Sequence, residues 1–158
     1  MCAGKSTLSK AVVAQFPSFM RLSINALVYQ SHGLWAIDYP ADRYSAYQLE
    51  AKELLVAKLG SVLQEKQRDV VLDLSFYNKE YWDEFKRLVE KNGGRWVLIF
   101  LDADRDLLWR RIGQRRAQRD ALDVTDKGRN GDSAFDIDEN TFKMYWEGFE
   151  RPDGEGKL

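Results

Sequence analysis

The sequence predicts an α/β fold in which helices cover both faces of a mostly parallel sheet. Three observations predict it. Two compact apolar runs, "DVVLDLS" and "RWVLIFLDAD", read as buried strands, because strands covered on both faces are continuously apolar rather than alternating. Segments of helical period stand before, between and after those runs. Strands separated by helices of this length run parallel, since the crossover returns each strand to the same end of the sheet.

The elements follow in order. From Lys5 to about Phe16, Leu8, Val12 and Phe16 recur on one helical face, and Pro17 stops the helix. "FMRLS", Phe19 to Ser23, is a short strand candidate. "INALVYQSHG" is a short helix ended by Gly33, and "LWAIDYPADR" is a loop around Pro40. Asp42 to Lys66 is one long helix, in which Tyr47, Ala51, Leu54, Leu55, Leu59, Val62 and Leu63 keep the helical period. Asp69 to Ser75 is a strand. Asn78 to Lys91 is helical, with Tyr81, Trp82, Phe85, Leu88 and Val89 on one face and Gly93-Gly94 closing it. "RWVLIFLDAD" carries the strongest strand signal, and Arg105 to Arg119 is an arginine-rich helix. Asp120 to Ala134 is polar and glycine-rich, a loop or lid. Asp136 with Glu139 forms a capping box for a last helix through Phe142, Tyr145, Trp146 and Phe149.

Nothing marks a domain boundary, so residues 1–158 are read as one domain with a lid-like segment at 111–135. The 13% aromatic content argues against disorder. No apolar run is long enough to span a bilayer, and no basic stretch leads into an apolar one at the N-terminus. The single cysteine, Cys2, has no internal partner, which fits a reducing, cytoplasmic setting. A net charge of −1 gives no global pull toward nucleic acid or membrane, so any polyanion must be held locally.

Three pieces supply local chemistry. Gly4-Lys5-Ser6-Thr7 has the residue types of a phosphate-binding loop and opens a helix, as that motif requires. Backbone N–H groups at a helix start point at phosphate oxygens, the lysine reaches the outer phosphates, and the following hydroxyl holds Mg²⁺. The full motif G-x-x-x-x-G-K-[ST] puts a first glycine five residues before Gly4, and only three residues precede Gly4 here. Alone, the short string also fits a capped helix start with a solvated lysine. Asp73, at the carboxyl end of an apolar strand, stands where α/β sheets hold ligands, to orient Mg²⁺ or grip a substrate hydroxyl; the alternative is a turn cap. Arg111, Arg115 and Arg119 share one helix face, flanked by Arg110 and Arg116. Such arginines stabilise charge on a moving phosphoryl group, or form a solvated face paired with Asp104 and Asp106. His32, the only histidine, sits at a helix end before Gly33, and no partner marks it as a base.

These pieces, in this order, resemble the P-loop kinase-like "AAA domain" group, which includes polynucleotide kinases, zeta-toxin-like kinases and chloramphenicol phosphotransferase. The resemblance rests on "AGKSTLSK", "RLSINALVYQSHGL", "DVVLDLSFYNKEYWDEFKRLVEKNGGRWVLIFLDADRDLLWRRIGQR" and "YWEGFERPDGEG". It implies a three-layer αβα sandwich of the P-loop NTPase fold, and transfer of the ATP γ-phosphoryl group to a hydroxyl. Ala3, Gly4, Lys5, Ser6, Thr7, Arg115 and Arg119 would hold ATP, and Ser6 and Asp73 would hold Mg²⁺. Lys5, Asp73, Asn25, Arg111 and Arg115 would line the reacting centre. The acceptor is a small molecule or a nucleotide; a nucleic-acid 5′ end is less favoured, and no membrane partner is expected.

The sequence departs from the group at two points. The group carries an aspartate after its second strand, in a "RLSxD" pattern, as acceptor of the hydroxyl proton. Asn25 stands there, and an amide orients a hydroxyl but takes no proton. Asp38 is the nearest downstream carboxylate. The group also has an apolar strand before the loop, so the first strand of the fold is expected to be missing from this sequence. Two readings therefore lead, a kinase or a nucleotide-binding or structural remnant without catalysis; a simple ATP hydrolase is a third, for which no carboxylate is placed to activate water.

Overall fold

A computed structural model gives the architecture; it describes residues 2–121 and 137–154, apart from the side chain of Arg119. The order is α1 (Lys5–Gln15), β1 (Phe19–Leu22), α2 (Ile24–His32), α3 (Tyr44–Glu65), β2 (Asp69–Leu72), α4 (Lys79–Lys91), α5 (Arg105–Ala121) and α6 (Glu139–Glu147), with a 3-10 turn at Ala41–Arg43 before α3. β1 and β2 are paired in parallel, with Phe19 opposite Asp69, Arg21 opposite Val71 and Leu22 opposite Leu72.

Strand periodicity sorts the two faces of this pair. Met20, Leu22, Val70 and Leu72 point into a core built with Leu27 and Val28 of α2, Leu55 and Leu59 of α3, and Phe85 and Val89 of α4. Arg21 and Val71 therefore point to the opposite face, and Arg21 meets Ser9 of α1 there. α1 and the α2–α3–α4 group thus lie on opposite sides of the strands, which is the three-layer αβα arrangement. A second cluster joins α5 to α6: Leu108 and Ile112 pack with Ile137, Phe142 and Cys2.

Local chemistry explains the element ends. Ser23 caps α2 by accepting from the Ala26 N–H, and Asn78 caps α4 by accepting from the Tyr81 N–H. Gly33 ends α2 with φ 83°, and its close neighbour is the Asp38 side chain, so no Cβ fits. Asp138 caps α6 through the Thr141 N–H at 2.7 Å, so the helix starts two residues later than the expected Asp136 box; Asp136 itself lies outside the described residues.

One expected element is absent. Residues 94–104 make no strand ladder among the described residues, although "RWVLIFLDAD" carried the strongest strand signal. Val97 and Ile99 are 69% and 63% exposed. A strand is a pairing, and apolar β-branched composition does not supply the partner. β2 is paired along one edge, to β1, and the described residues provide no ladder for its other edge. The expected lid divides likewise: 111–121 is the second half of α5, and 122–135 lies outside the described residues.

Leu55 and Leu59 are 0% and 1% exposed at the centre of the main core. Leu55→Ala is expected to lose roughly 2–5 kcal/mol of stability, read as a lower midpoint in urea denaturation. A loss under about 1 kcal/mol would show that the α3 face is not the core of the domain.

Candidate phosphate-binding site

Gly4 stands immediately before α1 with φ 98°, a left-handed conformation that an L side chain adopts only with strain. That turn starts the helix at Lys5 and leaves its first N–H groups without a side-chain cap. The start of α1 borders a cavity of about 840 Å³, which Gly4, Lys5, Ser6, Asn25, Asp73 and Arg115 line together. Ala3 and Thr7 also line it. Its walls come from the carboxyl ends of β1 and β2, from the start of α4 and from residues 98–103. Residues from distant parts of the sequence therefore converge at the strand ends, where α/β folds place ligands.

Asp73 is the anchor. Its side chain is 3% exposed, and its Oδ2 accepts from Arg21 Nη2 at 2.6 Å, Arg21 Nε at 3.1 Å and Ser9 Oγ at 3.2 Å. Its Oδ1 makes no hydrogen bond among the described residues. The sequence placed Asp73 correctly at a strand end, but not its partners. Arg21 reads in the sequence as one residue of a short strand, and Ser9 as a polar helix position. The available signal was a charged residue inside an otherwise apolar strand; a strand interior has no cheap place for a charge without a partner.

Lys5 carries a perturbed charge. Burial pushes its ammonium below the ordinary 10.5, Asp73 and Cys2 pull it back up, and Arg115 pushes it further down. Asn25 accepts from the Tyr44 hydroxyl at 3.0 Å. Burial holds that phenol far above its usual range, with smaller contributions from Tyr39 and Tyr145, so it keeps its proton and donates. The Asn25 carbonyl oxygen is thereby engaged, which leaves its NH₂ as a donor.

The other candidates sit elsewhere. Arg111 does not line the cavity; it donates from Nη1 to the Cys2 carbonyl at 3.3 Å, holding the residue before the turn. Arg116 donates to the Ile137 carbonyl at 2.7 Å and ties α5 to the start of the α6 segment. The Arg119 side chain lies outside the described residues. Asp38 accepts from the Leu34 N–H at 2.6 Å, shaping the turn after Gly33, and does not line the cavity. His32 stacks on Tyr47 at 3.6 Å and lies 3.3 Å from Glu50, away from the cavity.

The donor set fits a small hard cation. Mg²⁺ keeps several waters and takes one or two carboxylates plus phosphate oxygens, so Asp73 Oδ1 and the Ser6 hydroxyl, which line the same cavity, would be the protein's share. No described helix is long and apolar enough to cross a membrane.

Because burial lowers the pKa of Lys5, the charge costs stability. Lys5→Met is expected to melt no lower than the parent at neutral pH. The sign with pH follows. Between the lowered native value and 10.5 the unfolded chain binds the proton and the native chain does not, so the parent gains stability relative to Lys5→Met as pH rises through that window. Denaturation at a series of pH values measures the difference, and a parent that loses ground instead would contradict the burial of Lys5.

A family model described as "AAA domain" matches residues 1–152. A solved protein from Chloroflexus aurantiacus J-10-fl, described as a "putative kinase", superposes with a TM-score of 0.66 at 19% identity, covering 90% of this chain and 68% of that one. No curated protein matches the chain. The chain belongs to the AAA domain family, a P-loop kinase-like group, and has that group's α/β fold.

Proposed function

We propose that this member of the family is an ATP-dependent phosphotransferase that moves the γ-phosphoryl group to a hydroxyl of a small-molecule or nucleotide acceptor. The observation that carries the reading is the convergence of the Gly4 turn, Lys5, Ser6 and Asp73 on one cavity. Each residue has a distinct task. The Gly4 turn and the first N–H groups of α1 hold phosphate oxygens. Lys5 neutralises the outer phosphates, and its desolvated ammonium interacts more strongly than a solvated one. Arg115 lines the same cavity and would stabilise charge on the transferring group. Ser6 and Asp73 would hold Mg²⁺, which when bound neutralises charge developing between the phosphates.

In the transfer the acceptor oxygen forms a bond to the γ-phosphorus, the bond to the β–γ bridging oxygen breaks, and ADP leaves with that electron pair. The hydroxyl proton passes to an oxygen of the transferred phosphoryl group or to solvent water. Asn25 orients the acceptor through its NH₂ and takes no proton. Loose phosphoryl-transfer transition states depend on a base less than most proton transfers do, at the low end of the usual range of about 10²- to 10⁴-fold, so a neutral residue here is compatible with turnover at a reduced rate. The near-neutral charge of the chain favours a small acceptor over a nucleic-acid end, and the lone cysteine favours a cytoplasmic setting.

A second reading, nucleotide binding without turnover, is favoured by one observation: the amide of Asn25 is pinned by Tyr44 where a carboxylate would serve as base. Two measurements separate the readings. Mg·ATP at about 100 times its Kd is expected to stabilise the parent by about 2.7 kcal/mol, seen as a higher Tm, and Lys5→Ala is expected to remove the shift. No shift in the parent would reject both readings. With the shift in place, Asn25→Asp is expected to raise phosphate transfer to hydroxyl acceptors by about 10²-fold. Equal rates in parent and variant would show that Asn25 does not limit the reaction.

A further inference from the structure

We propose that Arg21 and Ser9 are positioning residues which turn Asp73 so that one carboxylate oxygen is kept for the phosphate cavity. This rests on reading the cavity as the Mg·ATP site.

A carboxylate has two equivalent oxygens, and nothing in its chemistry chooses between them. The surroundings of Asp73 choose. All three donors converge on Oδ2: Arg21 Nη2 at 2.6 Å, Arg21 Nε at 3.1 Å and Ser9 Oγ at 3.2 Å. Oδ1 makes no hydrogen bond among the described residues, and Asp73 lines the cavity. With Oδ2 gripped from the α1 face of the strands, rotation of the carboxylate would break both Arg21 contacts, and the Ser9 contact as well whenever that hydroxyl donates to Asp73. Oδ1 is left as the oxygen that a cation or its waters can use.

Ser9 adds a link to the loop. Its Oγ lies 3.1 Å from the Ser6 carbonyl and 3.2 Å from Asp73 Oδ2, and it accepts from Arg21 Nε at 3.0 Å. A hydroxyl has one proton, so Ser9 donates to the loop carbonyl or to the carboxylate, never both. Ser9 thus stands between the two candidate metal-holding residues, Ser6 and Asp73, within donating reach of each and bonded to one at a time. Ser9 is 3% exposed, so solvent does not take over the role. Groups that orient metal-holding carboxylates set cation affinity without touching the cation.

The test uses the full chain with Mg²⁺, Mn²⁺ and a non-hydrolysable ATP analogue. Mg²⁺ is titrated at fixed analogue and followed by the thermal shift; Mn²⁺ binding is followed by its electron-spin signal. Ser9→Ala removes the bridge, with Ser9→Thr as the conservative control. Arg21→Lys keeps the charge but cannot supply two nitrogens in a fixed fork. The expected result is a roughly 10- to 100-fold rise in the cation concentration at half-effect for Ser9→Ala and Arg21→Lys, with metal-free analogue binding unchanged and Ser9→Thr close to the parent. Lower melting temperatures with an unchanged cation midpoint would overturn the proposal, since a purely structural pair behaves that way. Should Arg21→Lys not fold, Ser9→Ala alone decides. A parent without any analogue-dependent shift overturns the nucleotide reading and this proposal with it; a parent that shifts beside variants that match it overturns only the positioning role.

Discussion

The site depends on one buried contact, the ion pair between Arg21 of β1 and Asp73 just beyond β2. Two charges taken out of water are tolerable only with close pairing and further hydrogen bonds, and breaking such a pair costs about 3–5 kcal/mol. Here the pair closes at 2.6 Å with Ser9 as the third member. The contact links three elements at once. Arg21 lies opposite Val71 in the parallel register, and Asp73 follows two residues on, on the same face. An extended arginine spans that step. Ser9 then fixes where α1 lies across the strands, and the position of α1 decides where Gly4, Lys5 and Ser6 stand relative to Asp73. Geometry at the phosphate end of the helix is therefore set by a charge pair behind it.

The sequence made part of this legible. Helix stops were readable because their causes are local: Pro17 and Gly33 end their helices whatever the rest of the chain does, whereas the caps of α2 and α4, Ser23 and Asn78, went unread and that of α6 was placed two residues early. Gly4-Lys5-Ser6 was readable because a glycine turn into a helix is also local. Asp73 was readable from its place after an apolar run. Arg21 and Ser9 were not, because their roles exist only once β1, β2 and α1 are assembled; they are 52 and 64 residues from Asp73 in sequence. Asn25 was found as a departure, but its Tyr44 partner needed the packing of α2 against α3. Arg111 shows the converse. Its helix face was legible, yet the side chain spends its reach on a backbone carbonyl at Cys2.

The stretch from Arg95 to Asp104 teaches a related lesson. Its composition is that of a buried strand, and its apolar residues are split between partial burial and exposure, with Trp96 packed against the core under the Lys86 ammonium at 4.2 Å. Helical pattern carries its own hydrogen bonds, so a helix predicted from sequence needs only a surface to pack on. A strand needs a second chain segment at the right spacing. Composition therefore reports what a segment is suited to, and pairing reports what the assembled chain supplies.

The electrostatics of the cavity follow from the same pairing. A chain of net charge −1 offers no long-range attraction to a polyanion. What it has is a short-range imbalance. Arg21 compensates Asp73 from behind, so Asp73 only partly offsets Lys5, and Arg115, which lines the same cavity, opposes Lys5. Burial makes both effects stronger than they would be in water. The ammonium is thus held where its charge is least comfortable, at the start of a helix whose dipole is also positive. A polyphosphate entering that space would relieve the burial cost of Lys5, its repulsion with Arg115 and the uncapped N–H groups of α1 together. The energy that burial withdraws from the empty fold would be returned on binding an anion, so the same residues that lower stability would favour an anion at this point of a nearly neutral chain.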